Sequence, residues 1–308
     1  MLVLRHLEHV ERRFVAPVVT LGNFDGVHCG HQVILRRAVA TAREQGGQTI
    51  AITFWPHPSA VLAPTHATAL IMSLRQRIEL IAACGVDVII AQRFNQRFSN
   101  ITAEDFVRRL VCGRLGAQRI VVGHRVSFGH ARAGNAEVLR RLGAELDVGV
   151  EIVEPILAGD HLVSSSAVRR AIRTGHLELA QQLLGRPHTI AGRVIHGHHR
   201  GRSIGFPTAN LRVRYAMVPP DGVYAVRVRH RGQWFAGIAN IGFNPTFEDR
   251  TRSIEAHIFD FEESLYRQRL EVAFVRRLRG EQKFPTPQAL AAQIERDVAA
   301  ARAALAQA

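Results

Sequence analysis

The segment GNFDGVHCGH, residues 22–31, constrains the fold of this chain more than any other. The apolar run before it, residues 16–21, predicts a buried parallel strand. The spacing of apolar residues after Gln32 predicts an amphipathic helix that ends near residues 46–47. A strand, a glycine-containing turn and a helix N-terminus together favour anions, because the first backbone N–H groups of the helix and its dipole meet there. The segment therefore predicts a site for a nucleotide phosphate.

Two histidines at the predicted helix start add chemistry to this turn. His28 and His31 are three residues apart and can face the same bound group, while Gly22 and Gly26 allow the backbone to approach it without Cβ clashes. Histidines placed in this way can stabilise the charge that a phosphate gains in a transition state. His28, Cys29 and His31 could instead bind a metal, but no second Cys/His pair with zinc spacing accompanies them.

The composition favours a globular protein of two domains. Of the 308 residues, 47% are hydrophobic and 21% are charged, which is typical of folded proteins with apolar cores. No apolar run has the length of a membrane span, the first residues lack a signal-peptide pattern, and the three cysteines are too scattered for a disulfide framework. We therefore expect a cytoplasmic protein with no membrane partner.

The net charge of +14 raises the question of nucleic-acid binding. Arginine supplies almost all of this charge, since Lys283 is the only lysine, and the arginines are dispersed along the chain. A dispersed pattern favours anionic small substrates and a solvated surface, so we expect no nucleic acid as partner. Because the chain has no G-x-x-x-x-G-K-[ST] loop, backbone N–H groups, histidine and arginine would have to hold a triphosphate.

The first 185 residues alternate between apolar runs and helical periodicity. Helices are predicted over residues 73–83 and from Thr102, and further strands over residues 49–54, 86–91, 119–122 and 148–153. Such alternation predicts an α/β fold with a doubly wound parallel sheet.

Two more groups in this half could contact a ligand. His57 follows the second predicted strand, and open α/β sheets bind ligands at the carboxyl ends of their strands. Ser164, Ser165 and Ser166 begin a predicted helix with Arg169 one turn further on. These hydroxyls and the guanidinium could form a phosphate cradle, although serines at a helix start are also ordinary N-caps.

The pattern changes near residues 184–187, where short alternating runs replace helical periodicity. An alanine-rich amphipathic helix is predicted from Thr286, and strands over His188–Ile195 and residues 223–229, 234–240, 253–259 and 270–275. This spacing predicts a small antiparallel β-barrel with the terminal helix packed across it. We therefore divide the chain into a domain of residues 1–185 and a domain of residues 186–308.

One loop of the second half contains several potential ligands. His196, His198 and His199 lie on a glycine-rich loop with no carboxylate or cysteine beside them, so a metal site there is not favoured. Thr208 and Asn210 supply a hydroxyl and an amide oxygen, which suit Mg²⁺, an ion that keeps water and nucleotide oxygens as its other ligands. Taken alone, the PTAN tetrapeptide around them predicts a turn.

Residues 22–32, GNFDGVHCGHQ, resemble the HxGH signature of the nucleotidylyltransferase superfamily in the form found in bacterial flavin adenylyltransferases. TFWPHP at residues 53–58 and SSSAVR at residues 164–169 are similar to two further motifs of that family, TFxPHP and SSTxxR. The resemblance implies FMN adenylyltransferase activity with His28 and His31 as catalytic residues. It also implies that ATP or its phosphates contact Gly22, Asn23, Phe24, Asp25, Gly26, Ser164, Ser165, Ser166 and Arg169.

The loop GHRVSFG, residues 123–129, departs from the family pattern, which is approximately GxDFxFG. Arg125 and Val126 replace the acidic residue and the first phenylalanine, while Phe128 matches. Arg125 could pair with the FMN phosphate or be an ordinary surface arginine. His57, Arg125 and Phe128 are the candidate flavin-binding residues of this half.

Residues 187–284 resemble riboflavin kinase through the motifs PTAN, PDGVYA, GIANIGFNPTF, IEAHIFDF and LRGEQKF. By its alternation with Ile254 and Ala256, Glu255 would be a solvent-facing strand residue. The resemblance implies instead that Glu255 is the general base, which accepts the proton of the ribityl 5′-hydroxyl as the phosphoryl group arrives. It also places Arg279 near the flavin and the nucleotide loop at Gly201, Arg202, Gly205 and Pro207.

The whole chain thus resembles the bacterial FAD synthetase family. The resemblance implies ATP-dependent phosphorylation of riboflavin to FMN in the second domain and adenylylation of FMN to FAD in the first, with Mg²⁺ assisting both. Riboflavin, FMN and ATP are the expected partners, and the sequence does not indicate the oligomeric state. Two alternatives stay open: a riboflavin kinase with a weakened adenylyltransferase site, and a flavin-sensing or nucleic-acid-binding protein on the same scaffold.

Overall fold

A computed structural model describes residues 1–196, 205–243 and 252–307. The chain forms two compact units, one of Met1–Ala69 with Leu74–Ser164 and one of Leu70–Ser73 with Ser165–Ala308. In the part of the chain so described, no helix combines the length and apolar character needed to cross a membrane.

The first unit is built on six strands in one sheet. They are β1 (Leu2–Arg5), β2 (Val18–Leu21), β3 (Thr49–Trp55), β4 (Val88–Arg93), β5 (Arg119–Gly123) and β6 (Gly149–Val153). All pairings are parallel, in the order β1-β4-β3-β2-β5-β6. The chain passes from β2 to β3 and β4 on one side, and then to β5 and β6 on the other. This order confirms the doubly wound parallel sheet and puts its switch point at β2 and β5, where such folds bind ligands.

Helices cover both faces of this sheet. They are α1 (Cys29–Glu44), α2 (Pro58–Leu62), α3 (Leu74–Ala83), α4 (Gln96–Ser99), α5 (Ala103–Asp105) and α6 (Ala136–Glu145). Val18 and Val121 pack on Ala38 and Ala42 of α1, while Val19 belongs to a larger apolar cluster on the opposite face. Burial on both faces explains why β2 is apolar along almost its whole length.

Two features of this unit differ from the local sequence pattern. The edge strand β1 was not predicted, because its four alternately exposed residues become a strand only by pairing with the distant β4. The helix after Thr102 begins as expected, since Thr102 Oγ1 accepts a hydrogen bond from the Asp105 N–H at 3.0 Å. It then continues through the wider π-helical turns of Phe106–Arg114.

The core of the second unit is a closed barrel of six antiparallel strands. A hairpin of two short strands in the first unit supplies β7 (Leu157–Ala158) and β8 (His161–Leu162). The barrel strands are β9 (His188–Ile195), β10 (Ala209–Val213), β11 (Gly222–His230), β12 (Gln233–Phe243), β13 (Arg252–Ile258) and β14 (Arg269–Arg279). The order around the barrel is β10-β13-β12-β11-β14-β9, and closure leaves no open edge. Ala209 and Asn210 of the PTAN tetrapeptide belong to β10, which pairs with β9 and β13.

The predicted terminal helix is confirmed as α9 (Pro287–Ala306). Thr286 is its N-cap residue. Ala301 and Ala304 of α9 pack on Val223 in an apolar cluster on the outside of the barrel. Small side chains on this face allow the helix to lie close to the strands.

Two further helices, α7 (Ser165–Thr174) and α8 (Leu177–Leu184), belong to the second unit. Leu177, the first residue of α8, lies in the core cluster of the barrel. The compact units therefore divide before α7, whereas the proposed domains, 1–185 and 186–308, divide after α8. That functional boundary stays a prediction.

Candidate active sites

The loop after β2 places His28 at the N-terminus of α1. His28 is the N-cap residue, and its Nδ1 atom accepts a hydrogen bond from the backbone N–H of His31 at 3.2 Å. Because Nδ1 accepts, the proton of the neutral ring lies on Nε2, which is then the atom able to donate to a ligand. The ring is buried, so this donor has a fixed orientation.

His31 forms a pair with His28. Their ring centroids are 3.6 Å apart with 17° between the ring planes, and the Phe24 ring meets His31 edge-on at 5.3 Å. A Cβ atom at Gly30 would come within 3.3 Å of His28 Nδ1, so glycine leaves room for the stacked pair. The two predicted catalytic histidines therefore lie together at the helix N-terminus.

The loop backbone has an uncommon conformation. Phe24, Gly26 and Val27 have φ angles of 47°, 90° and 39°, in the left-handed region. For residues other than glycine this conformation costs about 1–3 kcal/mol each, so the surrounding structure must hold it. Phe24 and Val27 are both buried, and Gln32 Nε2 donates to the Val27 carbonyl oxygen at 3.0 Å. A strained loop of this kind, beside a helix N-terminus, is typical of functional sites.

Sequence reasoning missed two residues, one on β3 and one on α3, whose side chains contact this loop. Thr53 Oγ1 donates to the Asn23 carbonyl oxygen at 3.0 Å, and Arg77 Nη2 of α3 lies 3.7 Å from Asp25 Oδ1. Both side chains of this ion pair are buried. The sequence signal was weak: an arginine four residues before the apolar Ile81 lies on the core-facing side of a helix.

The flavin candidates occupy different environments. His57 is half-buried at the carboxyl end of β3, where its Nδ1 atom accepts from the Ser59 N–H at 3.2 Å. Arg125 is exposed in the loop after β5, so both residues lie at the edge of the sheet where β2 ends. Phe128 is buried with its ring centroid 5.7 Å from that of Phe106, within the apolar core.

The serine-rich segment begins a helix as expected. Ser165 and Ser166 are the first residues of α7, and Arg169 follows one turn later. Ser164 ends the first unit, and the other three belong to the second. Their role as a phosphate cradle stays a prediction.

In the barrel, Glu255 lies on β13 between Asn210 of β10 and Asn240 of β12, its register partners on either side. Directly opposed residues on neighbouring strands share a face, so these three side chains form a polar row. The row is on the outer face, because Ile254 lies in the barrel core. Thr208 Oγ1 donates to Glu255 Oε2 at 3.2 Å, and Glu255 is half-buried. Sequence reasoning missed Asn240, because only the register brings it beside Glu255.

The segment before β10 is attached to β13. His257 Nδ1 donates to the Pro207 carbonyl oxygen at 2.9 Å, and the Phe206 ring meets His257 edge-on at 5.5 Å. Gly205 has a φ of 87°. The remaining predicted residues of the nucleotide loop and its histidines lie outside the described residues: His198, His199, Gly201 and Arg202.

Two kinds of side chain could bind a metal ion here: groups of His, Cys, Asp or Glu, and the oxygen donors near Glu255. No three His, Cys, Asp or Glu side chains in residues 1–196, 205–243 and 252–307 gather closely enough to hold a metal ion. Mg²⁺ prefers oxygen ligands, and the Thr208 hydroxyl and the Asn210 amide beside Glu255 fit that donor set.

Arg279, at the end of β14, forms a bidentate ion pair with Asp297 of α9. Its Nε and Nη2 atoms donate to the carboxylate at 2.8 to 3.1 Å, and its guanidinium lies 5.6 Å from the Phe284 ring centroid. Gln293 Nε2 also donates to Asp297, at 2.8 Å. The pair fixes Arg279 against α9, and its contact with the flavin stays a prediction.

Comparison with known proteins covers both units. The family model of FAD synthetase matches residues 12–167, and that of riboflavin kinase matches residues 184–305. A bifunctional riboflavin kinase/FMN adenylyltransferase from Haemophilus influenzae is 37% identical over 304 residues, covering 98% of this chain and 99% of the relative. The enzyme of the same description from Pseudomonas fluorescens is 40% identical over 304 residues, covering 98% and 97%.

A solved structure is similar in fold over nearly the whole chain. The crystal structure of a protein from Streptococcus pneumoniae described as a macrolide-efflux protein has a TM-score of 0.89 and 32% identity, and the match covers 98% of this chain and 99% of that one. Both family models and the full-length relatives thus lead to one conclusion. The chain belongs to the family of bifunctional riboflavin kinases/FMN adenylyltransferases, which make FAD from riboflavin.

Proposed function

We propose that the chain's two ATP-dependent reactions occur at two separate centres. FMN adenylylation takes place at the loop after β2, and riboflavin phosphorylation takes place at Glu255 on β13. The proposal rests on the stacked pair of His28 and His31 at the N-terminus of α1, which lies at the switch point of the sheet. In the barrel it rests on the row of Asn210, Glu255 and Asn240.

In the adenylyltransferase centre, an oxygen of the FMN phosphate attacks the α-phosphorus of ATP, and pyrophosphate leaves. No general base is needed, because the FMN phosphate is already ionised at neutral pH. The α-phosphate gains charge in the transition state, where His28 Nε2, His31 and the first backbone N–H groups of α1 donate to it. Arg125 pairs with the FMN phosphate, and Ser164 supplies a further phosphate contact.

In the kinase centre, Glu255 accepts the proton of the riboflavin 5′-hydroxyl while that oxygen bonds to the γ-phosphorus and ADP leaves. The Thr208 hydroxyl, 3.2 Å from Glu255 Oε2, orients the carboxylate. Thr208 and Asn210 would hold Mg²⁺ together with nucleotide oxygens, and the ion would neutralise phosphate charge.

Product analysis of two reactions tests this proposal. The protein is incubated with Mg²⁺ and ATP plus either riboflavin or FMN, and the flavins are separated by chromatography. We expect FMN and FAD from riboflavin, and FAD with pyrophosphate from FMN. Accumulation of FMN alone would favour a riboflavin kinase with a weakened second site. Flavin binding without any product would favour a sensor on this scaffold.

A further inference from the structure

Arg77 has the largest side chain that is completely buried in the described structure. It lies on α3, where it shares the core-facing side with Ile81, and its exposed fraction is 0%. A buried guanidinium is costly unless its charge and its N–H groups are matched. Its contacts therefore indicate what the position does.

These contacts join three segments of the first unit. Arg77 Nη1 donates to the Phe54 carbonyl oxygen at 3.1 Å and lies 3.4 Å from Thr53 Oγ1, so it holds the carboxyl end of β3. Thr53 Oγ1 in turn donates to the Asn23 carbonyl oxygen at 3.0 Å. Arg77 Nη2 lies 3.7 Å from Asp25 Oδ1, in the loop that leads to His28.

The charge of Asp25 presents a problem for a site that binds ATP. Its carboxylate is 1% exposed and belongs to the same loop that must accept a triphosphate. A negative charge in this water-poor environment would repel the substrate strongly, because the effective dielectric constant is low. Arg77 brings an opposite charge to Asp25 from the side of α3.

We propose that Arg77 is a positioning residue of the adenylyltransferase centre, which holds the 23–25 turn against the end of β3 and compensates the charge of Asp25 so that the loop accepts ATP. This inference rests on the proposed function of the loop. It assigns Asp25 to the internal support of the loop, so that the backbone of the turn contacts phosphate and the carboxylate does not.

A charge-compensation test uses Arg77→Met, Asp25→Asn and the double variant, each as the full chain. The rate of FAD formation from FMN is measured against ATP concentration, which reports only the adenylyltransferase centre. We expect Arg77→Met to raise the KM for ATP by about tenfold or more, because it removes the buried positive charge beside the Asp25 carboxylate. Adding Asp25→Asn should return this KM to within about threefold of the wild-type value, since both charges are then absent. A double variant with a KM no better than that of Arg77→Met overturns the proposal.

Arg77→Lys covers the case in which Arg77→Met fails to fold. Lysine keeps the positive charge but not the planar fork, so kcat should fall while the KM for ATP stays within about threefold of wild type. A KM that rises with Lys as much as with Met, at equal thermal stability, overturns the role of charge. Arg75→Met is the matched control, because Arg75 is on the same helix but is exposed and pairs with Glu79 at the surface.

Two outcomes separate this inference from the proposed function. If wild-type protein forms no FAD from FMN, the function of the loop is wrong and the inference fails with it. If His28 variants lose FAD formation while Arg77→Met keeps a normal KM for ATP and loses only thermal stability, the centre stands and Arg77 is merely structural. Riboflavin phosphorylation by the same samples should stay unchanged throughout.

Discussion

We expect His28 to have two tasks in the loop after β2: its Nδ1 atom caps α1, and its imidazole donates to substrate. The two tasks can be separated by the choice of substitution. Asparagine is also a good N-cap and can accept from the His31 N–H, but it has no imidazole. Alanine removes both functions.

We therefore expect His28→Asn to keep its stability while FAD formation from FMN falls by about 10²–10³-fold, the usual loss for one transition-state donor. His28→Ala should lose the same activity and in addition about 1 kcal/mol of stability, because the cap is lost. Urea unfolding and FAD formation, measured on the same samples, distinguish the two. An active His28→Asn variant would show that the residue serves only as a cap.

Glu255 is the corresponding residue of the barrel. Glu255→Gln preserves the size of the side chain and can keep the hydrogen bond from Thr208, but it cannot accept a proton at neutral pH. We expect riboflavin phosphorylation to fall by about 10²–10⁴-fold, the range of general-base catalysis, with little change in riboflavin binding. FMN supplied directly should still become FAD at the wild-type rate.

Glu263→Gln is the control for this substitution, since Glu263 is an exposed residue of the same unit that pairs with Arg231 at the surface. Its kinase rate should equal that of wild type. If Glu255→Gln is also as fast as wild type, Glu255 is a strand-surface residue and the base lies elsewhere.

At the scale of elements, local patterns predicted several of the strands and helices that bury a continuous face, although α6 and α8, which also bury one, were not predicted. β2, β3 and α1 have such faces, and the amphipathic helix predicted from Thr286 is α9, with Thr286 as its N-cap residue. β1 and β10 were missed, because each is short and is defined by pairing with strands distant in sequence. Glu255 and His28 were recognisable because they belong to sequence motifs. Asn240 lies beside Glu255 only through the strand register, and Arg77 lies beside Asp25 only through tertiary packing.

α9 covers part of the outer face of the barrel and also orients Arg279 through Asp297. Asp297 is 4% exposed, so Asp297→Ala leaves the Arg279 guanidinium without this buried partner. We expect the free energy of unfolding of the second unit to fall by about 3 kcal/mol, as for other buried ion pairs that lose one member. Chemical denaturation followed by circular dichroism measures this change.

Asp260→Ala is the matched control, because Asp260 pairs with Arg302 of the same helix but is 78% exposed. Loss of an exposed pair should cost less than about 1 kcal/mol. Equal effects of the two substitutions would mean that the Asp297 pair does not support the barrel.

At the scale of the whole molecule, the compact units and the sequence motifs divide the chain at different places. The SSSAVR motif, residues 164–169, resembles an adenylyltransferase motif and lies at the start of α7. α7 and α8 nevertheless belong to the barrel unit. Leu177 of α8 is completely embedded in the barrel core. The segment between the two motif sets is therefore a structural part of the barrel unit.

Two fragments test this division. Residues 165–308 keep α7 and α8, whereas residues 187–308 begin at the barrel, and both lack Leu70–Ser73. We expect both to phosphorylate riboflavin at low temperature, since Glu255, Asn210 and Asn240 are present in each.

The longer fragment should be more stable by about 3 kcal/mol or more, because the shorter one exposes the apolar surface that α8 covers. Urea denaturation of the two fragments measures the difference. Leu177→Ala in the longer fragment should lower its free energy of unfolding by about 2–5 kcal/mol, because Leu177 lies in the barrel core. Equal stability of the two fragments would show that α8 is a linker and that the unit begins at β9.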